Sequence, residues 1–165
     1  MYKDASELMS QCKEQNKRIW QIAVENEMKL TSSSYEDILS RFDDRLEIMF
    51  HSAQKALNAK QATKGGLIDG VAKTQYDYSK KENISGEYIN YVMSLAYSCS
   101  EVNASMGKIC ASPTAGSCGI VPAVLLGLSQ AKNISREKTL EGLITASAVG
   151  AIYTKNATVA GADGG

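Results

Sequence analysis

The chain has 165 residues, of which 44% are hydrophobic and 22% are charged, a balance typical of a folded globular domain and not of a disordered segment. Basic and acidic residues number 18 each, so the formal net charge is zero and no net field would attract nucleic acid or an anionic membrane. The N-terminus lacks the features of a signal peptide, and the apolar part of residues 109–131 is too short to span a bilayer, so we expect a cytosolic protein with reduced thiols.

Two helices are predicted in the first third of the chain. Residues 4–29 are rich in good helix formers, and Cys12 falls on their apolar side, where we interpret it as a core thiol. Ser34 and Asp37 have the spacing of a capping box, which predicts the start of a second helix. This helix has an apolar stripe with clear helical periodicity, which consists of Ile38, Leu39, Phe42, Leu46, Met49, Ala53, Ala56 and Leu57. His51 lies off this stripe and is expected to be solvated.

Residues 60–87 break the helical pattern and are predicted to form a long loop that contains Lys64-Gly65-Gly66-Leu67-Ile68-Asp69-Gly70. Ordinary connections have ~4–6 residues, and longer structured loops are often functional. The backbone N–H groups of Gly65 and Gly66, together with the Lys64 cation, could hold a small anion. Alternatively, the two glycines only end the preceding helix at its C′ position. The residues alone leave both interpretations open.

The third predicted helix covers residues 86–106, with Ser85 as its cap and Gly107 at its end. Its inward stripe is predicted to consist of Ile89, Val92, Met93, Ala96 and Cys99. We interpret Cys99, like Cys12, as a core thiol.

The last two predicted helices follow a glycine-rich stretch. Residues 120–131 form a helix with Pro122 in its first turn, a position that proline favours. Asn133 marks a turn and Ser135 caps a helix from Arg136 to about Thr154, whose small residues favour a buried, central position. The predicted fold is therefore all-α: about five helices packed around a small-residue-rich central helix, with two glycine-rich loops, in a single domain over residues 1–165.

The stretch from Gly107 to Pro122 contains both prolines and two of the four cysteines, Cys110 and Cys118. Glycine and proline shape loops, and this loop leads into a helix whose N-terminal dipole would favour an anion or a thiolate. The chain has no Cys-x-x-Cys pair and one histidine, which argues against a zinc site. A thiolate is also the ligand of iron–sulfur clusters.

Residues 111–122, Ala-Ser-Pro-Thr-Ala-Gly-Ser-Cys-Gly-Ile-Val-Pro, resemble the cluster loop of the iron–sulfur-dependent L-serine dehydratases (L-serine ammonia-lyases), α chain. Residues 64–70 are similar to a glycine-rich motif of that family. Residues 156–165 resemble the segment that leads directly into the next cluster cysteine of the family. The three motifs match in order and spacing, so the resemblance covers most of the chain.

The resemblance implies that L-serine is converted to pyruvate and ammonia without pyridoxal phosphate, with an oxygen-sensitive 4Fe-4S cluster as cofactor. An iron with an open position would act as a Lewis acid on the serine hydroxyl while a base removes the Cα proton. Matched by position, Cys118 is the first cluster ligand, whereas Cys110 is not expected to be one. The resemblance does not identify the base. The residues proposed to hold the substrate carboxylate and amine are Lys64, Gly65, Gly66, Thr114, Gly116, Ser117 and Asn156.

The other two α-chain ligands of the family would lie past Gly165, the first of them at the very next position. We therefore expect this chain to be a partial α (catalytic) domain that neither holds an intact cluster nor turns over serine by itself. The resemblance also implies a β chain or a fused β domain as partner, and apolar surface left exposed would favour a homo-oligomer.

Two functions of other classes remain open from the residues alone. The first is a helical module that binds a small anion and has no redox centre. The second is an enzyme that uses Cys118 as a nucleophile, although such an enzyme would need a histidine near the thiol and His51 lies on another helix.

Overall fold

Seven α-helices form the fold in the computed structural model, which describes residues 2–157. They are α1 Ala5–Glu14, α2 Ile19–Thr31, α3 Tyr35–Asn58, α4 Val71–Ser79, α5 Glu87–Ala104, α6 Ile120–Ala131 and α7 Arg136–Asn156. No strand occurs among these described residues, which confirms the predicted all-α class. The predicted number of about five helices is too low, because α1 and α2 are separate and α4 lies within the predicted long loop.

Two compact units make up the described part of the chain. One unit contains the residues before Arg45 and those after Thr139, and the other contains Arg45–Thr139. Helix α3 begins in the first unit and continues into the second, whereas α7 begins in the second and continues into the first.

The first unit begins with a helix that ends earlier than the sequence predicts. Asn16 adopts a left-handed conformation (φ 50°), and the N–H of Lys17 donates to the Cys12 carbonyl at 2.9 Å. This is the Schellman arrangement, in which a left-handed residue reverses the chain and satisfies a terminal carbonyl. The single predicted helix over residues 4–29 is therefore wrong. Cys12 is buried beside Leu8 and Ile22, as expected of a core thiol.

A second apolar cluster in the first unit joins Val24 of α2, Ile38 of α3 and Ile144 of α7. The predicted capping box of α3 is confirmed: the Asp37 N–H donates to Ser34 Oγ at 3.1 Å, and the Ser34 N–H donates to Asp37 Oδ2 at 3.3 Å. Helix α7 buries one side only. Leu143, Ile144 and Ala148 are buried, whereas Val149 and Tyr153 are exposed.

The core of the second unit forms where α3, α5 and α6 pack together. Its buried members are Ala53, Ala56, Leu57, Ala72, Leu95, Cys99, Cys118, Ala123 and Leu126. Ser98 of α5 ties this helix to α3, because its hydroxyl accepts from the Ala56 N–H at 2.9 Å and donates to the Ser52 carbonyl at 2.7 Å. The apolar positions predicted for α3 thus face a core, and His51 is exposed, as predicted.

Helices α5 and α6 approach closely and run antiparallel. A Cβ atom on Gly119 would lie 2.6 Å from the Ala96 carbonyl oxygen, and a Cβ atom on Gly127 would lie 2.6 Å from Val92 Cγ2. Since Gly119 lies next to Ala96 while Gly127 lies next to Val92, the two helices have opposite directions. Gly119 at the N-cap of α6 and Gly127 within α6 therefore set the separation of this helix pair.

The buried face of α5 agrees only in part with the predicted one: Cys99 is buried, and Val92 and Ala96 pack against the core. Ile89 and Met93 are exposed, and the buried positions instead include Ser94, Leu95 and Ser98. The reason is that α5 packs through small and polar side chains, which permit close contact with α3 and α6. Seven large hydrophobic side chains of this helix pair remain 38–64% exposed: Tyr88, Ile89, Met93 and Tyr97 on α5, and Ile120, Val124 and Leu128 on α6.

Helix α4 occupies the middle of the stretch that the sequence predicts to be a loop. It buries Ala72 and Ser79 and packs against α5. The prediction of Ser85 as a helix cap is also wrong, because Gly86 (φ 80°) is the N-cap of α5. None of the helices within residues 2–157 combines the length and the apolar character needed to cross a membrane.

Candidate functional site

The first glycine loop, residues 60–70, connects α3 to α4 and is closed by its own polar groups. The Thr63 N–H donates to Asp69 Oδ1 at 2.9 Å, and the Thr63 hydroxyl bonds to the same oxygen. Lys60 Nζ lies 3.6 Å from Asp69 Oδ2. Asp69 thus holds both arms of the loop together.

Lys64, Gly65 and Gly66 form an exposed turn in this loop. The Gly66 N–H donates to the Thr63 carbonyl at 3.3 Å, and Gly66 has a positive φ of 67°, which glycine adopts without strain. Because α3 ends at Asn58, the glycines do not follow the helix directly. The interpretation of Gly65-Gly66 as a simple helix stop is therefore wrong.

The second glycine loop, residues 107–119, begins at a Schellman turn that closes α5. Met106 is left-handed (φ 62°), and the Gly107 N–H donates to the Val102 carbonyl at 2.8 Å. A Cβ atom on Gly107 would lie 2.6 Å from Val102 Cγ1, so glycine is needed at this position. Gly107 therefore completes the predicted helix end, three residues after the last helical residue, Ala104.

Thr114 and Ser117 shape the second glycine loop from within. Ser117 Oγ accepts from the Thr114 N–H at 3.2 Å and lies 3.0 Å from Thr114 Oγ1, and it donates to the Ser112 carbonyl at 2.9 Å. The Ser112–Pro113 peptide bond is cis. Gly116, between the two side chains, is exposed.

Both loops bond to the last turn of α5. The Lys64 N–H donates to the Ala104 carbonyl at 2.9 Å, and Asn103 Nδ2 donates to the Ala115 carbonyl at 3.1 Å. Adjacent residues of one helix thus hold the two motifs that the sequence singles out. The structure brings six of the seven predicted substrate-binding residues to this end of α5. The seventh, Asn156, ends α7, and its side chain lies outside the described residues.

Cys118 lies where the second glycine loop enters α6, next to the N-cap residue Gly119. Its side chain is only 1% exposed, and its Sγ atom donates to the Cys99 carbonyl at 3.8 Å. Burial raises the pKa of the Cys118 thiol above its ordinary value. Burial therefore opposes the predicted effect of the helix dipole, and it outweighs the backbone hydrogen bond that favours the thiolate.

The thiols nearest to Cys118 differ in exposure. Cys99 is fully buried, and burial raises its pKa to about 11, as expected for a core thiol. Cys110 is partly exposed, and its Sγ atom donates to the Arg45 carbonyl at 3.6 Å. Among residues 2–157, no group of three or more His, Cys, Asp or Glu side chains could hold a metal ion. A buried thiol in a loop fits one ligand of a cluster, whereas the described residues do not supply a full ligand set.

Glu101 of α5 is the contact residue that the sequence interpretation missed. It is completely buried and bonds to the first glycine loop. A glutamate in a helix is ordinarily solvated, so the sequence does not predict a buried contact for Glu101. The available signal was its spacing: Ser94, Ser98 and Glu101 recur at intervals of four and three residues, which places them on one helix face.

We expect Asp69 to titrate below the ordinary range of an aspartate. Its hydrogen bonds from Thr63, followed by the charge of Lys60, lower its pKa. Because the folded-state pKa is lowered, the carboxylate stabilises the loop above the unfolded pKa, and this contribution is lost as pH falls through the folded value. Carboxyl carbon-13 NMR of the wild type, with Asp69→Asn to assign the signal, measures this pKa. A midpoint at or above 3.8, the ordinary value, would contradict the arrangement.

The chain is similar to serine dehydratase α chains over nearly its whole length. The serine dehydratase alpha chain family model matches residues 14–165. The chain is 39% identical to the L-serine dehydratase, alpha chain, of Peptoniphilus asaccharolyticus, covering 100% of this chain and 57% of the relative. It is 35% identical to the probable L-serine dehydratase, alpha chain, of Bacillus subtilis (100% and 55%) and 28% identical to L-serine dehydratase 1 of Escherichia coli (99% and 37%). It therefore spans a little over half the length of the α chains. No solved structure gave a significant match.

Proposed function

Because the chain belongs to the serine dehydratase alpha chain family, we propose that it forms the substrate-binding and cluster-binding part of an enzyme that converts L-serine to pyruvate and ammonia. The observation that carries the proposal is the convergence of both glycine loops on residues 103 and 104 of α5. One of these loops offers the Gly65 N–H and the Lys64 side chain, and the other ends at a buried thiol.

The first glycine loop is proposed to bind the serine carboxylate. Gly65 carries no side chain that would keep a ligand from its N–H group, and Gly66, whose own N–H donates to Thr63, shapes the turn through its positive φ. Lys64 contributes a positive charge on the exposed side of the loop. The second glycine loop is proposed to bind the rest of the substrate near Gly116. Thr114 and Ser117 keep that loop in shape, since their hydroxyls bond to loop atoms.

Cys118 is proposed to be one thiolate ligand of a 4Fe-4S cluster whose other ligands are not among the described residues. Such a cluster would supply a Lewis-acidic iron that makes the serine hydroxyl a better leaving group, without pyridoxal phosphate. Burial of Cys118 suits this role, since a low-accessibility thiol is kept from other reactions until a metal replaces its proton. The same burial and raised pKa argue against Cys118 as a free nucleophile.

The partners are proposed by analogy with the relatives. Two of them are named alpha chains, which implies a companion chain in those proteins. We propose a β chain or a β domain as the partner here, and the homo-oligomer stays a prediction.

We also propose that the 165 residues alone are inactive, because they contain one of the three expected ligands.

The complete α chain, extended past Gly165 in its natural reading frame and purified with its companion chain without oxygen, tests the proposal. We expect iron and sulfide in a ratio typical of a 4Fe-4S cluster, and release of pyruvate from L-serine in a coupled assay. The 165-residue chain is the control and should release none. An extended protein that contains no iron, or that contains iron but leaves L-serine and L-threonine unchanged, would refute the proposal.

A further inference from the structure

The Glu101 carboxylate binds both ends of the first glycine loop. Its Oε1 atom accepts from the Gln61 N–H at 2.7 Å and from the Gly70 N–H at 2.9 Å. Its Oε2 atom accepts from the Ala72 N–H, in the first turn of α4, at 3.2 Å. One side chain therefore fixes the start of the loop, its end and the helix that follows.

The burial of this carboxylate indicates a specific role. Glu101 is 0% exposed, and a buried carboxylate is unfavourable unless hydrogen bonds compensate for its lost hydration. An apolar residue at this position would pack without that cost but would leave three backbone N–H groups without their acceptor. A carboxylate has two oxygens that each accept more than one bond, which suits three converging donors.

The neighbours of Glu101 extend its effect to the second glycine loop. Asn103 donates to Ala115 in that loop, and Ala104 accepts from Lys64 in the first loop. Residues 101–104 thus form one helical turn that bonds to both loops. A shift of the first loop away from Glu101 would move Lys64, Gly65 and Gly66 relative to Cys118.

We propose that Glu101 is the positioning residue of the substrate-binding loop, which it holds at a fixed distance from the loop that carries Cys118. The proposal rests on the proposed function, in which the first loop binds the serine carboxylate. Glu101 itself touches neither substrate nor cluster in this proposal. It acts through the backbone of Gln61, Gly70 and Ala72.

The test uses Glu101→Gln and Glu101→Ala in the complete protein with its companion chain and cofactor. Glutamine retains an oxygen for Gln61 and Gly70 but places an NH₂ group opposite the Ala72 N–H. For Glu101→Gln we expect KM for L-serine to rise about 10-fold, the factor that corresponds to one hydrogen bond to a charged group, with kcat changed by less than about 3-fold. Hydrogen–deuterium exchange of peptides covering residues 60–72 should become about 10-fold faster. Both effects should be larger in Glu101→Ala.

Two control variants separate positioning from general destabilisation. Glu87→Gln makes the same chemical change at an exposed position of α5 and should leave KM and exchange unchanged. Ile38→Ala removes buried volume from the apolar cluster of the first unit and should lower the thermal midpoint without raising KM. A purely structural role would reduce the amount of active protein, and hence apparent kcat, with KM unaltered.

Each outcome decides the proposal. A wild-type KM in Glu101→Gln, with or without faster exchange, overturns it, since the loop would then not need its anchor to bind serine. If the wild-type protein does not dehydrate serine, the proposed function fails, and exchange alone decides whether Glu101 anchors the loop. Unchanged exchange in residues 60–72 then overturns the anchoring as well. If Glu101→Ala does not fold, Glu101→Gln supplies the same measurements.

Discussion

Replacing Cys118 with alanine in the complete protein is expected to remove most of its iron and to lower serine dehydration by more than about 100-fold, because even residues that only support metal ligands change activity or affinity by about 10–100-fold. The thiol is proposed to be a direct ligand, and it is buried in the core of the second unit. Iron content after anaerobic purification and pyruvate formation measure the two effects.

Cys110→Ala is the matched control for this prediction. Cys110 lies in the same loop, but its thiol is partly exposed and bonds to the Arg45 carbonyl. We expect this variant to keep its iron and its activity. Full iron content and normal turnover in Cys118→Ala would exclude Cys118 as a ligand, and iron loss in Cys110→Ala would reassign the ligand.

Replacing Gly119 with alanine is expected to destabilise the second unit by about 2–3 kcal/mol, in the upper range for overpacked sites. The new Cβ atom would lie 2.6 Å from the Ala96 carbonyl oxygen and 3.2 Å from Ala96 Cα. Both are backbone atoms of a packed helix, so α5 and α6 must separate to admit the methyl group. The urea midpoint of unfolding, with its slope, gives the change in the free energy of unfolding.

Two other glycines serve as controls for the Gly119 prediction. At Gly116 a Cβ atom would meet only Thr114 Oγ1, at 3.8 Å, so Gly116→Ala should leave stability nearly unchanged. At Gly150, in α7, it would meet nothing within 4 Å, and Gly150→Ala should stabilise by up to about 1 kcal/mol through helix propensity. An unchanged urea midpoint in Gly119→Ala would contradict the close contact between Gly119 and Ala96, because the helix pair would then accommodate a methyl group at this position.

The helices that bury apolar faces could be predicted from the sequence, whereas the breaks between helices could not all be predicted. The α3 stripe repeats from Ile38 to Leu57 of a 24-residue helix, and the Ser34–Asp37 capping box marks the start of that helix. Asn16 ends α1 through its own backbone conformation, and the surrounding composition, which favours helix, conceals this. Helix α4 buries only Ala72 and Ser79 and therefore leaves almost no periodic signal.

The candidate site was partly predictable for a similar reason. Glycine-rich motifs are visible in a sequence, so Gly65-Gly66 and the loop around Cys118 could be singled out. Their convergence depends on hydrogen bonds from α5 to backbone groups of Lys64 and Ala115. Such bonds do not depend on the side chains at these two positions, so the sequence does not predict them. The exposed Ile89 and Met93 mislead in the same way, because α5 buries serines where it contacts α3.

The shared attachment of both glycine loops to the end of α5 has a consequence for the thermodynamics of ligand binding. Loops that are ordered during folding lose little conformational entropy when a ligand arrives, so more of the interaction energy is expressed as affinity. A ligand that contacts both loops also couples them, and by reciprocity any change that loosens one loop weakens binding at the other. In the proposed function, the single helical turn that holds both loops thus sets how tightly a small, highly hydrated amino acid is bound.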